Sequence, residues 1–185
     1  METINETAVV FGRALAELAA ERNELEATVK DLEVARAAFA LPEMEKFFIN
    51  PLVPKAAKLE LLERVFGQSK SSVFLPFLKV VVLRRRERLL RGILRAALYR
   101  CLDLLGTAVV TVTSAAELDE ELKNKLIQRL AAYLGRPVYP EFYINPRLLG
   151  GMVIRYGDRV LDASVLGILQ RMEDSLLAGL KGGEE

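Results

Sequence analysis

The most informative part of the chain is Asn145-Pro146-Arg147-Leu148-Leu149-Gly150-Gly151-Met152-Val153-Ile154-Arg155-Tyr156-Gly157-Asp158-Arg159-Val160-Leu161-Asp162-Ala163-Ser164. Its residue order predicts a turn, a strand, a tight turn, a second short strand and the start of a helix. The pair Gly150-Gly151 permits positive φ where the chain enters the first strand. The pair Gly157-Asp158 is typical of a two-residue hairpin turn, which joins strands predicted at Met152–Tyr156 and Arg159–Leu161.

A helix is predicted to follow this hairpin, from Val165 to about Leu180. Asp162 or Ser164 can accept a hydrogen bond from a first-turn N–H of that helix, which is the usual N-cap interaction. Apolar residues at helical spacing give the helix one face for burial. They are Val165, Ile168, Leu169, Met172, Leu176 and Leu180.

The region before this stretch predicts a strand, a helix and another strand. Their bounds are Thr107–Thr113, about Leu118–Leu134 and Val138–Ile144. Ser114, with Glu117 three residues later, fits a capping box at the start of the helix. Pro140 cannot donate a hydrogen bond to a sheet, so its strand is expected to lie at an edge or to bend.

Up to about Leu105 the hydrophobic period is helical, whereas β-branched alternation begins after Gly106. The predicted helices are Val10–Ala20, Leu25 to about Leu41, Glu43 to about Ile49, Pro54 to Gly67, Ser71 or Ser72 to about Arg84, and about Glu87 to Leu105. The shift in composition predicts a domain boundary. We therefore expect a two-domain α+β protein, with a six-helix bundle at residues 1–105 and a small α/β domain at residues 106–185.

The fifth predicted helix is apolar almost all round, which implies burial on more than one side. Its apolar residues are Val73, Phe74, Phe77, Leu78, Val80, Val81 and Val82. A closed bundle needs fewer apolar faces from one helix than this. The excess is consistent with surface left for a partner.

Composition limits the class of protein. Of the 185 residues, 51% are hydrophobic and 28% are charged, and the net charge of +1 gives no general attraction to nucleic acid or anionic lipid. No apolar run approaches the ~18–20 residues that span a bilayer. Met1–Glu6 lacks the basic region of a secretory signal, and the single Cys101 cannot form an internal disulfide. A reducing, cytoplasmic compartment is the expectation.

The chain has no histidine and no tryptophan. The lack of histidine removes the commonest general base and metal ligand, and with one cysteine it excludes ordinary zinc sites and histidine-dependent nucleophilic catalysis. There is also no Gly-x4-Gly-Lys-Ser/Thr phosphate-binding loop. Asp158 and Asp162 are better explained by turn formation and helix capping than by metal binding. We expect a protein without catalytic site, metal or cofactor.

Four patches resemble one known family, the δ subunit of F-type ATP synthase, which is called OSCP in mitochondria. The most specific is the run from Leu148-Leu149-Gly150-Gly151 to Asp162-Ala163-Ser164. Phe11-Gly12-Arg13-Ala14-Leu15 is similar to the family's opening Tyr-Ala-x-Ala-Leu motif, with Gly12 in place of the usual alanine. The others are Asn50-Pro51 followed by Lys55 and Lys58, and Ser114-Ala115-Ala116-Glu117-Leu118. They occur in the family's order across nearly the whole chain.

The resemblance implies a non-catalytic stator connector that links the catalytic head to the peripheral stalk, so that proton flow drives ATP synthesis. It implies that the N-terminal helix of an α subunit binds between the first and fifth helices. The candidate groove residues are Phe11, Leu15, Leu18, Phe77 and Val81; the competing interpretation makes them ordinary core. The second domain, chiefly its last helix, is expected to meet the b subunits. The protein would lie at the cytoplasmic face of the cell membrane, held there only through the complex.

An alternative function comes from the basic segment Arg84-Arg85-Arg86-Glu87-Arg88. Between Lys79 and Arg100 there are eight Lys or Arg residues and one acidic residue. This segment could bind nucleic acid as an adaptor. However, no aromatic residues interleave with the arginines to stack on bases. A solvated helix junction or an acidic protein partner explains the segment better, and we expect no nucleic acid.

Overall fold

The computed structural model describes residues 5–169. It divides the chain into two compact units, Met1–Leu105 and Gly106–Glu185, and together they make an α+β protein. The division lies where the hydrophobic period changes from helical to alternating. Residues 165–169 begin a helix, as predicted, and the rest of the predicted last helix lies outside the described residues.

Residues 5–105 form six α-helices and one 3-10 turn. The helices are α1 (Glu6–Glu21), α2 (Leu25–Ala40), α3 (Pro42–Ile49), α4 (Lys55–Phe66), α5 (Phe74–Leu83) and α6 (Leu90–Leu104). The 3-10 turn at Glu87–Leu89 occupies the predicted start of the sixth helix. Pro54 lies at the N-cap of α4, one position before the first turn in which it was predicted.

The core of the first unit is built around α6, on which α1 and α2 pack most extensively. Leu94, Ala97 and Leu98 of α6 are fully buried. Gly12 of α1 lies directly against α6. A Cβ atom added to Gly12 would lie 2.6 Å from the Ala97 backbone nitrogen and 2.8 Å from the Ala96 Cβ atom. The absence of a side chain at Gly12 therefore sets how closely the two helices pack.

Gly12→Ala is expected to lower the free energy of unfolding by about 1 kcal/mol or more. Alanine favours a helix over glycine by roughly 1 kcal/mol, but overpacking against a backbone atom costs about 1–3 kcal/mol. Gly92→Ala on α6 is the matched control, because its added Cβ would come no closer than 3.4 Å to Ala8. That variant should gain about 0.5 kcal/mol. Urea unfolding measures both changes, and a stabilised Gly12→Ala protein would contradict the packing described.

A serine before an apolar helical run predicts an N-cap, but neither Ser71 nor Ser72, where the fifth helix was predicted to begin, caps α5. The helix begins at Phe74, after Val73 as an N-cap without a side-chain hydrogen bond. The two serines instead donate to acceptors at the N-cap of α2 and within this helix. The Ser72 N–H and hydroxyl donate to the Glu24 carboxylate at 2.7 and 2.8 Å, and the Ser71 N–H donates to Asp31 at 2.8 Å. The carboxylate of Glu24, which is far from α5 in the sequence, thus takes the place of a capping side chain next to the helix.

Glu24→Gln is expected to destabilise the protein at pH 7 and to have little effect at low pH. The hydrogen bonds from Ser72 hold the pKa of the Glu24 carboxyl below its ordinary value of 4.5. Because the pKa is depressed in the folded state, the stabilisation is present above the unfolded-state pKa and is lost as the pH falls through the folded-state pKa. Melting temperatures of both proteins at pH 7 and pH 3 test this. An equal difference at the two pH values would contradict it.

The second unit is a four-stranded sheet with one helix, α7 (Glu120–Leu134). The strands are β1 (Ala108–Ser114), β2 (Val138–Ile144), β3 (Met152–Tyr156) and β4 (Arg159–Asp162). Their order in the sheet is β2-β1-β3-β4, with β1 and β2 parallel and the other pairs antiparallel. Val110 and Val112 of β1 pack with Leu130 of α7 in the core. Pro140 lies in the edge strand β2, which confirms its predicted position.

The capping box predicted at Ser114 and Glu117 is wrong. Ser114 is the last residue of β1, and its hydroxyl donates to the Ala116 carbonyl at 2.6 Å. Asp119 caps α7 instead, by accepting a hydrogen bond from the Leu122 N–H at 2.6 Å. The strand continues further than the local pattern suggested because Ser114 pairs with Ile144 and Met152.

The turn chemistry predicted for residues 145–164 is confirmed. Gly151 has φ of 74°, and a Cβ atom there would lie 2.2 Å from the Ala163 carbonyl oxygen, so no other residue fits without a shift. Gly157 has φ of 52° in the turn between β3 and β4. Ser164 caps the following helix by accepting from the Gly167 N–H, while Asp162 accepts from the Ser164 N–H and hydroxyl.

Candidate partner-binding site

The apolar surface of interest on α1 lies along one flank of the helix. Phe11, Ala14 and Leu18 follow each other at spacings of three and four, so they lie on the same side. Phe11 is half-buried, Ala14 is exposed and Leu18 is 40% exposed. Arg13 and Glu17 form an exposed ion pair elsewhere on the surface of the same helix. The side of α1 that adjoins its buried face therefore exposes apolar atoms to solvent.

A similar flank occurs on α5. Phe77 is half-buried, and Val80, three residues later, is 45% exposed. Phe74, Leu78 and Val82 are buried and hold the other side of the helix in the core. The sequence expectation that α5 is buried on more than one side is only partly met, because Val80 and Leu83 are exposed.

The rings of Phe11 and Phe77 connect the two flanks. Their centroids are 6.4 Å apart with an interplanar angle of 62°, an edge-to-face contact. The closest packing of each helix is elsewhere, because α1 packs chiefly on α6 and α5 chiefly on α4. We call Phe11, Ala14, Leu18, Phe77 and Val80 the α1–α5 strip. It is an uncovered apolar surface whose base is a pair of aromatic rings.

Two of the five expected groove residues are corrected to core residues. Leu15 and Val81 have no exposed surface. Each follows one of the two rings by four residues, which turns the side chain about 40° further round the helix, toward the core. Phe11, Leu18 and Phe77 lie on the accessible flank.

Sequence reasoning missed Ala14 and Val80 as members of the strip. Both follow a ring by three residues, which turns the side chain about 60° away from the core. Their spacing from Phe11 and Phe77 could therefore have identified both residues from the sequence. Small size at Ala14 also leaves room for a partner's side chain.

The side chains of the strip are all apolar, so they can contact a partner but cannot act as catalytic groups or metal ligands. The strip contains no ionisable group, and residues 5–169 hold no cluster of three or more His, Cys, Asp or Glu side chains that could bind a metal ion. Burial raises the pKa of the Cys101 thiol to about 11, so this thiol is protonated at neutral pH. In the same part of the chain, no helix has the length and hydropathy for a membrane crossing.

The basic segment Arg84–Arg88 begins at the end of α5, where the Arg84 N–H donates to the carbonyl of Val80, a residue of the strip. Arg84, Arg85 and Arg86 form an exposed turn after α5, and Arg88 is exposed in the 3-10 turn that precedes α6. The basic segment therefore follows directly after the end of the apolar strip on α5.

Comparisons with known proteins agree with the sequence resemblance. The family model described as ATP synthase delta (OSCP) subunit matches residues 8–176. The ATP synthase subunit delta of Desulforamulus reducens is 34% identical over 91% of this chain and 93% of its own length. That of Carboxydothermus hydrogenoformans is 34% identical over 90% of this chain and 94% of its own length.

A solved structure shares the fold. One chain in the cryo-EM structure of the Toxoplasma gondii mitochondrial ATP synthase hexamer matches with a TM-score of 0.76. The match covers 92% of this chain and 97% of that chain, at 22% sequence identity. At this identity the similarity establishes the architecture.

Proposed function

Because this chain belongs to the ATP synthase delta (OSCP) subunit family, whose members are structural, non-catalytic subunits, we propose that it is the stator connector of a rotary F1Fo ATP synthase. It links the N-terminal helix of an α subunit in the catalytic head to the b subunits of the peripheral stalk. It lies at the cytoplasmic face of the cell membrane, attached through the complex. The observation that carries this proposal is the uncovered α1–α5 strip.

The strip fits an amphipathic helix better than any small ligand. A helix that binds in a groove places apolar residues at i, i+3 or i+4, and i+7 against it. The strip has matching features, with aromatic rings at its base and the half-exposed Leu18 and Val80 on its two helices. In this proposal the six helices of the first unit act as one bundle that holds α1 and α5 at a fixed separation.

Affinity must come from both partners. Completing the burial of Leu18 and Val80 contributes on the order of 1 kcal/mol each, whereas association itself costs at least about 4 kcal/mol. The partner helix must therefore bury its own apolar face on the strip. A lasting interface needs about 1,200–2,000 Å² of buried surface in total.

The second unit is proposed to contact the b subunits. The helix that begins at residue 165 exposes Val165, Ile168 and Leu169 by 43%, 43% and 52%. Their spacing places apolar atoms along one side of the helix start. With both ends attached, the connector resists the counter-torque that acts on the head when proton flow turns the rotor.

Removal of the chain from the complex tests this function. Heads without the chain are expected to hydrolyse ATP at the normal rate, because the chain contributes no catalytic group. Sealed vesicles carrying Fo and such heads are expected to make no ATP under a proton gradient, and added chain should restore synthesis. Normal synthesis in vesicles without the chain would contradict the proposal.

A further inference from the structure

A second surface of the first unit forms a concave basic site. A cavity of about 300 Å³ opens where the loop before α4 meets the turn after α5. Its lining includes four cationic side chains, Lys55, Lys58, Arg85 and Arg88, and one carboxylate, Glu87. Apolar atoms of Ile49, Pro51 and Val53 complete the wall. The wall of the cavity therefore has an excess of three positive charges and an apolar part.

The two lysines are fixed by the protein. The Lys58 ammonium group is buried and donates to the Phe48 carbonyl and to Glu87, at 2.5 and 3.2 Å. The Lys55 ammonium group donates to the Leu83 carbonyl at the end of α5, at 3.1 Å. An ammonium group has three N–H donors, so each lysine keeps at least one for a ligand. These contacts hold the two charges in place before anything binds.

The guanidinium groups of the two arginines are available to bind a ligand. Among residues 5–169, neither the Arg85 nor the Arg88 guanidinium group has a hydrogen-bond or ion-pair partner. Arg85 has φ of 56°, and its N–H donates to the Val82 carbonyl in the turn that ends α5. Glycine is the usual residue at such a position because a Cβ atom is strained there. The chain thus keeps an unpaired guanidinium group at a position where glycine would be more stable.

The start of α4 adds further donors. Pro54 is the N-cap, and no side chain caps the first turn of this 12-residue helix. Pro54 and Lys55 line the cavity, so the positive end of the helix dipole lies beside the lysine and arginine side chains. All of these features favour the binding of an anion in the cavity.

We propose that this cavity binds a carboxylate side chain, with an apolar neighbour, from an acidic segment of a protein partner. Arginine recognises a carboxylate through two parallel hydrogen bonds. Ile49, Pro51 and Val53 suit an aliphatic residue beside the acidic one. A phosphate group has no apolar part to contact these three residues, and no aromatic residue lines the cavity to stack on a base. None of the residues that line this cavity belongs to the α1–α5 strip.

The test is a titration of the full chain with a capped acidic peptide, acetyl-Ala-Leu-Asp-Glu-Leu-Ala-amide, followed by NMR. The peptide is expected to shift the signals of Lys55, Arg85 and Arg88. It should bind at least about tenfold more tightly than the same peptide with Asn and Gln in place of the acids. Equal binding of the two peptides would overturn the proposal.

Matched variants separate the cavity from the general charge of the segment. Arg88→Gln and Arg85→Gly are each expected to weaken peptide binding at least about tenfold. Arg84→Gln and Arg86→Gln remove the same charge beside the cavity and should change binding less than about threefold. Arg85→Gly should also raise the melting temperature, which excludes unfolding as the cause of lost binding. Equal losses in all four variants would overturn the site.

Two further probes test the class of ligand. Inorganic phosphate and a mixed single-stranded oligonucleotide are titrated under the same salt conditions. Both are expected to bind more weakly than the acidic peptide. Tighter binding of either would overturn the assignment to a protein carboxylate, and tighter binding of the oligonucleotide would support the nucleic-acid alternative instead.

Discussion

The variants Leu18→Glu and Val80→Glu are each expected to weaken binding of the α-subunit N-terminal peptide by at least about 100-fold while leaving the fold intact. Both side chains are partly exposed, at 40% and 45%, so the free protein can solvate a carboxylate at either position. In the complex the same carboxylate would be buried without a partner, at a cost of several kcal/mol. Calorimetric titration of each variant measures the loss.

The chain offers close controls for these variants. Val9 is 46% exposed and lies on α1 half a turn round from Leu18, away from the strip. Val34 on α2 is 60% exposed. Val9→Glu and Val34→Glu should bind the peptide as the unmodified chain does. Equal losses in all four variants would assign the effect to charge or folding and not to the strip. Leu15→Glu is unsuitable, since it buries a charge at a fully enclosed position.

Lys58→Met is expected to lower the free energy of unfolding by about 3–5 kcal/mol. The side chains of Lys58 and Glu87 are only 5% and 11% exposed, and their charged atoms are 3.2 Å apart. Loss of the ammonium group leaves a carboxylate in a poorly solvated position and removes the hydrogen bond to the Phe48 carbonyl. Denaturant unfolding measures the change.

The double variant Lys58→Met, Glu87→Leu separates the two causes. Replacing a buried ion pair by apolar residues of similar volume is often nearly neutral, because the cost of desolvating both charges disappears. The double variant should therefore recover more than half of the lost stability. A double variant as unstable as Lys58→Met would show that the Phe48 carbonyl bond, and not the ion pair, carries the effect.

Features that depend on local turn chemistry could be predicted from the sequence. The hairpin at Gly157, the N-cap at Ser164 and the edge position of Pro140 all follow from the backbone preferences of a few adjacent residues. The end of the helical period at Leu105 also coincides with the division between the two compact units.

Features that depend on tertiary contacts could not be predicted. Ser71 and Ser72 resemble helix caps, but Glu24 and Asp31 from a distant helix compete for them. Ser114 resembles a cap as well, although pairing on both sides of β1 keeps it in the sheet.

The sequence was sufficient to predict which helices form the candidate site, but not which of their side chains are exposed. Periodicity identifies which face of α1 or α5 is apolar, but it does not resolve the boundary between core and surface. Leu15 and Leu18 differ by about 60° around one helix, and this difference makes the first fully buried and the second 40% exposed. Only the position of the neighbouring helices decides where burial ends.

We propose that the α1–α5 strip binds a helix from the α subunit. The most direct measurement is an NMR titration of the isotope-labelled full chain with the α-subunit N-terminal peptide. We expect one-to-one binding with the largest shifts at Phe11, Ala14, Leu18, Phe77 and Val80. No binding at stoichiometric concentration, or shifts centred on the second unit, would contradict the account.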